Sequence, residues 1–368
     1  MKLIKYSLIF LLFFSMIVSA SAQGGYKLSG KITDEKGEPI KSATVFISGS
    51  TKITMTNDSG FFIFNDIEPG AFQLSVQMLG YSPYNQSGMM KTSNVSVDIS
   101  LHIRPIQINE VTIGGGESNW MAYYTIFKGQ FLGTSTNAQE CEILNPRVLH
   151  FYFNKKKGVL TADADKFLFI ENKLLGYRIK YLLKDFEYDA KNNAAIYDGD
   201  TNFEELPGND RMKKRWLKNR ESAYKGSFLH FLRCVFTQTA LQEGFIVNTL
   251  YKFSYKDRDT HDGPTVSIDS RPIRFDSLMT RIDSSLISLK FSPIYVSYNP
   301  KKAAEIINKG SYSKKKDVDL DDANASVVKL PLKDVVIDRK GSYLNYRAFV
   351  LKGEFGAKRI GDQLPFEY

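Results

Sequence analysis

The residues of the larger half best equipped for chemistry lie between Arg215 and Cys234: Arg220, Tyr224, Ser227, His230 and Arg233. A helical period over 210–243 puts Arg220, Tyr224 and Ser227 on or near one face, with His230 and Arg233 beside it. Arginine offers forked donors and tyrosine a stacking face, so this set could receive an anionic or sugar-like group. The competing reading is a brace, with His230 and Tyr224 hydrogen-bonded in the core and the arginines paired with carboxylates. Buried anchors are expected at Trp216, Phe228 or Phe231. Gly226 is the weak point of this helix, and Gly244 is its expected stop.

Established catalytic spacings are missing around these residues. The four histidines are His102, His150, His230 and His261. None begins His-Glu-x-x-His or His-x-x-Glu, so zinc-peptidase chemistry has no ligand set, and no metal or cofactor is expected. There is no Gly-x-Ser-x-Gly elbow and no phosphate-binding Gly-x-x-x-x-Gly-Lys-Ser/Thr loop. Cys141 and Cys234 are too few for a disulfide framework, and sequence leaves open whether they pair or stay free. Asp257 and Asp259 superficially suit a calcium loop, but Asp262 stands where glycine is needed and Ile268 where glutamate is needed. Both that stretch and Asp198-Gly199-Asp200 read as polar turns. A glycosidase-like pair of carboxylates stays open, because sequence does not show spatial separation.

The first residues read as an address. Lys2 and Lys5 precede an apolar run over 8–18, and Ala20-Ser21-Ala22 offers the small-x-small cleavage pattern. A signal peptide over 1–22 with cleavage before Gln23 is expected. The run is short of the roughly twenty residues of a membrane-spanning helix, and no other stretch approaches that length. The chain is therefore expected to be exported, with no transmembrane span after cleavage. Its formal charge of +9 is spread over 368 residues in separate clusters at 155–157, 213–215 and 314–316. Nucleic-acid binding needs a concentrated basic stripe, so nucleic acid is not an expected partner. The length calls for two or more domains.

From Tyr26 onward, short alternating segments are separated by turn residues, as in Asp34-Glu35-Lys36-Gly37 and Asn57-Asp58-Ser59-Gly60. This spacing predicts a small β-sandwich. The motifs Leu28-Ser29-Gly30-Lys31-Ile32-Thr33-Asp34, Ala43-Thr44-Val45-Phe46-Ile47, Thr56 through Phe62, and Leu79-Gly80-Tyr81 follow one another in an order that resembles the carboxypeptidase-regulatory-like domain. The resemblance implies a transthyretin-like β-sandwich over 23–113, such as precedes TonB-dependent receptors of Gram-negative outer membranes. It implies architecture, not peptidase activity. Ile108 through Gly116 is similar to the segment that follows this module in those receptors, but the remaining chain lacks a barrel's series of strands.

Residues 114–118 read as a linker to a second domain over 119–368. There, 119–132 has a helical aromatic pattern with Trp120, Tyr123, Tyr124, Phe127 and Phe131, expected to bury against a sheet. Residues 147–203 read as antiparallel hairpins, with Asp198-Gly199 as one turn. The helical stretch follows, and the tail from 265 reads as strands. The expected fold is mainly β, a β-sandwich followed by a larger antiparallel α+β domain with a helical insertion. The expected function is an exported, non-catalytic envelope protein of the periplasm or outer-membrane surface that binds a protein or glycan partner. The alternative is an envelope hydrolase acting on peptide, peptidoglycan or polysaccharide.

Overall fold

The computed structural model describes residues 25–104, 117–164, 166–254, 265–273, 278–309, 316–319, 324–343 and 348–368. The leader, residues 105–113 at the end of the expected sandwich, positions 114–116 of the linker, the 257–263 turn, and Lys314 and Lys315 fall outside these residues. The protein is mainly β, as expected.

The N-terminal strands are β1 (Tyr26–Thr33), β2 (Thr44–Ile47), β3 (Ile53–Met55), β4 (Phe61–Ile67), β5 (Gly70–Gln77), β6 (Tyr84–Met90), β7 (Val95–Ser96) and β8 (Ile99–Ser100). One sheet pairs β4 antiparallel to β1, with β7 and β8 parallel on its other side. The second runs β3-β2-β5-β6. Strand alternation sends Leu28, Ile32, Phe62, Phe64, Leu74 and Val76 into the shared core. Each such side chain contributes about 1.5–3 kcal/mol by leaving water.

The larger half opens with helix α1 (Glu117–Leu132), so the last two positions of the expected 114–118 linker are already helical. Its Phe127 and Phe131 are fully buried against Phe186 and Tyr181, at ring separations of 4.7 and 4.8 Å. The sheet beneath holds β9 (Cys141–Ile143), β10 (Leu149–Asn154), β11 (Val159–Ala164), β12 (Leu168–Asn172), β13 (Tyr177–Asp189) and β14 (Ala194–Glu205). Strand β14 pairs only with β13 in this sheet and forms an edge. Asp198-Gly199, expected as a turn, lies inside this strand. Glycine is tolerated there because another chain segment packs against it. A Cβ at Gly199 would meet the Tyr181 ring at 2.3 Å and the Leu182 carbonyl at 2.5 Å.

The expected single helix over 210–243 is two helices, α2 (Asp210–Tyr224) and α3 (Phe228–Thr237). Gly226 takes φ +72° and breaks them apart. Helix α3 ends at left-handed Gln238, ahead of the expected stop at Gly244. The next strands are β15 (Phe245–Ser254), β16 (Thr265–Pro272), β17 (Met279–Arg281), β18 (Leu286–Leu289) and β19 (Ile294–Tyr298). Helix α4 (Pro300–Lys309) then interrupts a tail that reads as strands in sequence. Asn299 Oδ1 accepts from Lys302 N at 3.0 Å and Pro300 opens the first turn, an N-terminal signal that sequence reading overlooks. Strands β20 (Lys316–Asp319), β21 (Ala325–Lys329), β22 (Val335–Asp338) and β23 (Val350–Gly353) complete sheets ordered β20-β16-β15-β19-β21-β23 and β17-β18-β22. The larger half thus holds two main cores, one around Phe127, Ile179 and Phe186 and another around Phe231, Val296 and Ile337.

The sandwich is fastened to both. Its Gly49 N donates to Thr201 O at 2.7 Å, Phe203 N donates to Ser50 O at 2.9 Å, and Phe366 N donates to Gly49 O at 2.8 Å. At a second point, Ala71 N donates to buried Asp338 Oδ2 at 3.2 Å and Lys340 pairs with Glu68 at 3.3 Å.

Candidate functional site

The break at Gly226 divides the five residues singled out from sequence. Arg220 is buried and turns to the first sheet, donating to the carbonyls of Leu175 (2.7 Å) and Gly176 (3.2 Å) and to Glu205 (2.5 Å). Its guanidinium lies 3.8 Å from the Tyr177 ring centre. Ser227 caps α3, its hydroxyl accepting from His230 N at 3.1 Å. His230 is buried among Tyr224, Phe245 and Tyr298, at ring separations of 4.7, 4.9 and 6.0 Å. Its Nδ1 accepts from Gly226 N at 3.2 Å. Arg233 donates to the main-chain oxygens of Lys340, Tyr368 and Phe366 at 2.9, 3.2 and 3.0 Å, and lies 5.3 Å from the Tyr224 ring centre.

Tyr224, His230 and Arg233 are therefore neighbours, while Arg220 points to another core. Trp216 and Phe231 are buried anchors, and Phe228 is half-buried. The cysteines sit in different cores as free thiols, each pushed up to about 12, chiefly by burial. Neither is a ready nucleophile at neutral pH.

The space that could receive a ligand is a cavity of about 1080 Å³ where the sandwich, the first sheet and the α3 region meet. Ser227 and Arg233 line it; Arg220, Tyr224 and His230 do not. The sandwich contributes Ser48, Gln73, Asn85 and Ser87, while β14 contributes Tyr197 through Thr201. Polar groups beside rings such as Phe72, Tyr197 and Tyr343 are the mixture found in pockets that orient a ligand.

Sequence reasoning missed the carboxylates of β14 because Asp-Gly-Asp is turn chemistry far more often than strand. Asp200 is fully buried, with Oδ1 accepting from Gln73 Nε2 of the sandwich at 2.6 Å. Its Oδ2 has no hydrogen bond of good geometry but lies 2.9 Å from Lys184 Nζ, an ion pair in a shielded place. Two residues away, half-buried Asp198 also lines the cavity. Burial raises its carboxyl above the ordinary value; Lys184 and a hydrogen bond from the Gly199 backbone N–H oppose this, and Asp200 and Asp185 add to it. Burial also pushes Tyr197 up to about 12, keeping the phenol neutral. Among the described residues no cluster of three metal-ligating side chains occurs, and no helix is long and apolar enough to cross a membrane.

A β-sandwich docked across two strand-rich cores is the class of architecture this geometry defines. Residues 28–113 match the CarboxypepD_reg-like domain, in agreement with the motif order; the rest of the chain is unassigned. No curated protein matches the sequence. Among solved structures, a type II cohesin–X-dockerin complex from Acetivibrio cellulolyticus is similar at 21% identity and TM-score 0.21, covering 23% of this chain and 62% of that one. The Bacillus anthracis TIE protein is similar at 12% identity and TM-score 0.20, over 50% of this chain and 32% of that one. A DUF3823 family protein from Bacteroides ovatus is similar at 13% identity and TM-score 0.18, over 50% and 82% of the respective chains. The match thus spans less than two thirds of the cohesin–dockerin and TIE chains, and likenesses this slight carry no functional argument.

Proposed function

We propose that this chain is an exported, non-catalytic binding protein of the cell envelope whose ligand site is the junction cavity. The observation that carries the reading is that the sandwich and the larger half build the cavity together, with Gln73 of one holding Asp200 of the other. Export rests on the leader pattern of residues 1–22.

Hydrolysis is the second reading, favoured by the raised carboxyl of Asp198 in a cleft. An acid/base pair needs a second carboxylate that is free to act. Of the other carboxylates lining the cavity, Asp200 is occupied by Gln73 and Lys184, and Asp362 accepts from Ser135 at 2.6 Å and Asn137 at 2.9 Å. Glu68 pairs with Lys340, and Glu367 accepts from Thr51 N. Asp66 alone has no partner among the described residues, and it sits on the sandwich, away from the strand that carries Asp198. His230 is enclosed by aromatic rings and does not line the cavity. Binding is the better supported reading.

Calorimetric titration of the purified chain with a panel of peptides and oligosaccharides tests it, alongside Ser87→Trp. Ser87 is exposed and lines the cavity, so the indole should fill space without disturbing a core. Saturable binding lost in Ser87→Trp, with an unchanged melting temperature, is the expected result. Turnover of a panel member that disappears in Asp198→Asn would replace binding with hydrolysis.

A further inference from the structure

We propose that the open edge of β14 inside the cavity receives an extended peptide carrying a lysine or arginine beside Asp198. This inference rests on the cavity as the ligand site and names the class of ligand.

The first support is the edge itself. Strand β14 pairs with β13 on one side, and its other side is covered at Thr201–Phe203 by the sandwich turn. That cover already has the character of strand addition. Ser50 and Asn202 form a parallel bridge, Thr201 O accepts from Gly49 N, and Phe203 N donates to Ser50 O. Backbone groups alternate in direction along a strand, so the outward set at Thr201 and Phe203 continues to Gly199 and Tyr197. Both line the cavity, and among the described residues the sandwich pairing stops at Thr201. An added strand would continue an interface the chain makes with itself, pairing with main-chain groups at Tyr197 and Gly199 and competing with the Asp198 carboxylate for the Gly199 N–H.

The second support is charge. Asp198 stands directly opposite Asp185 across the β13–β14 ladder, and like charges in that position repel. Lys184 is committed to Asp200 at 2.9 Å. Among the described residues, no cation lining the cavity forms an ion pair with Asp198. Arg233 is held by three main-chain oxygens, Lys340 by Glu68, Lys358 by Glu354, Arg359 by the Gln130 carbonyl and Lys52 by the Asn65 carbonyl at 3.5 Å, while exposed Arg339 has no carboxylate within 4 Å. A ligand cation beside Asp198 and Asp185 would relieve the repulsion. A neutral saccharide would leave it in place.

The test is fluorescence polarisation of the full chain with a nine-residue acetylated peptide alternating threonine and valine around one central lysine. Comparison probes are the same peptide with glutamate at the centre, a version N-methylated at alternate residues, and maltohexaose as competitor. The lysine peptide should bind. Central glutamate, alternate N-methylation or Asp198→Asn should each weaken binding about tenfold or more, the scale of one desolvated charge pair or lost strand pairing. Ser87→Trp should block it. Equal binding of the lysine, glutamate and N-methylated peptides overturns the inference, as does binding unaffected by Ser87→Trp. Failure of every peptide also overturns it. If maltohexaose alone binds and Ser87→Trp blocks it, the peptide inference fails while the cavity reading stands. Panel ligands that bind without any effect of Ser87→Trp remove both.

Discussion

Asp198 carries a charge that the fold resists, which sets the sign of its contribution to stability. Because its folded pKa is raised, its stabilising effect is complete below the ordinary value of 3.8 and is lost as pH rises through the folded value. Asp198→Asn should therefore raise the melting temperature at pH 7, with the gain fading toward pH 3.5 in parallel thermal melts. His230 has the opposite shift, lowered from 6.5 chiefly by burial, with Glu243 opposing and Arg233 adding to it. Its stabilising contribution is present above 6.5 and is lost as pH falls through the folded value. The geometry agrees: Nδ1 already accepts from Gly226 N, so a proton there would face a donor. Urea midpoints should fall between pH 7.5 and 5.5, with His230 contributing at most about 1.4 kcal/mol per pH unit. His230→Asn should flatten that slope, and an unchanged slope would remove His230 as its source.

At the scale of elements, the corner between α2 and α3 decides where the conspicuous side chains go. Gly226 sits at φ +72°, and a Cβ there would lie 2.6 Å from the Tyr298 ring. Gly226→Ala combines a left-handed backbone with a clash and should cost about 2 kcal/mol or more by chemical denaturation. A loss under about 0.5 kcal/mol would show that the corner is not set by this residue. The corner was partly legible in the sequence. Gly226-Ser227 is a glycine stop followed by a serine cap, whereas hydrophobic periodicity alone joined the two helices into one. Asn299-Pro300 was an equally readable start for α4. The strand position of Asp198 was not readable, since its place depends on the Tyr181 ring and Leu182 carbonyl packed against Gly199, contacts made by the neighbouring strand.

For the whole molecule, the sandwich emerged from sequence because its turns and alternation are local, and residues 28–113 match the corresponding domain. Its docking did not, because the fastening pairs Gln73 with Asp200 and Ala71 with Asp338 across long stretches of chain. For the same reason the cavity had no sequence signature: its walls come from three separated regions. The sandwich is thus one wall of the site, held by backbone pairing at Gly49–Ser50 and by Asp338 at the other end. Hydrogen exchange with and without a saturating bound member of the ligand panel tests this joint site most directly. The account predicts slowed exchange in both the sandwich segment 70–75 and the β14 segment 196–203. Slowing confined to the exposed positions Met55 of β3 and Phe61 of β4, or to any region away from the junction, would contradict it.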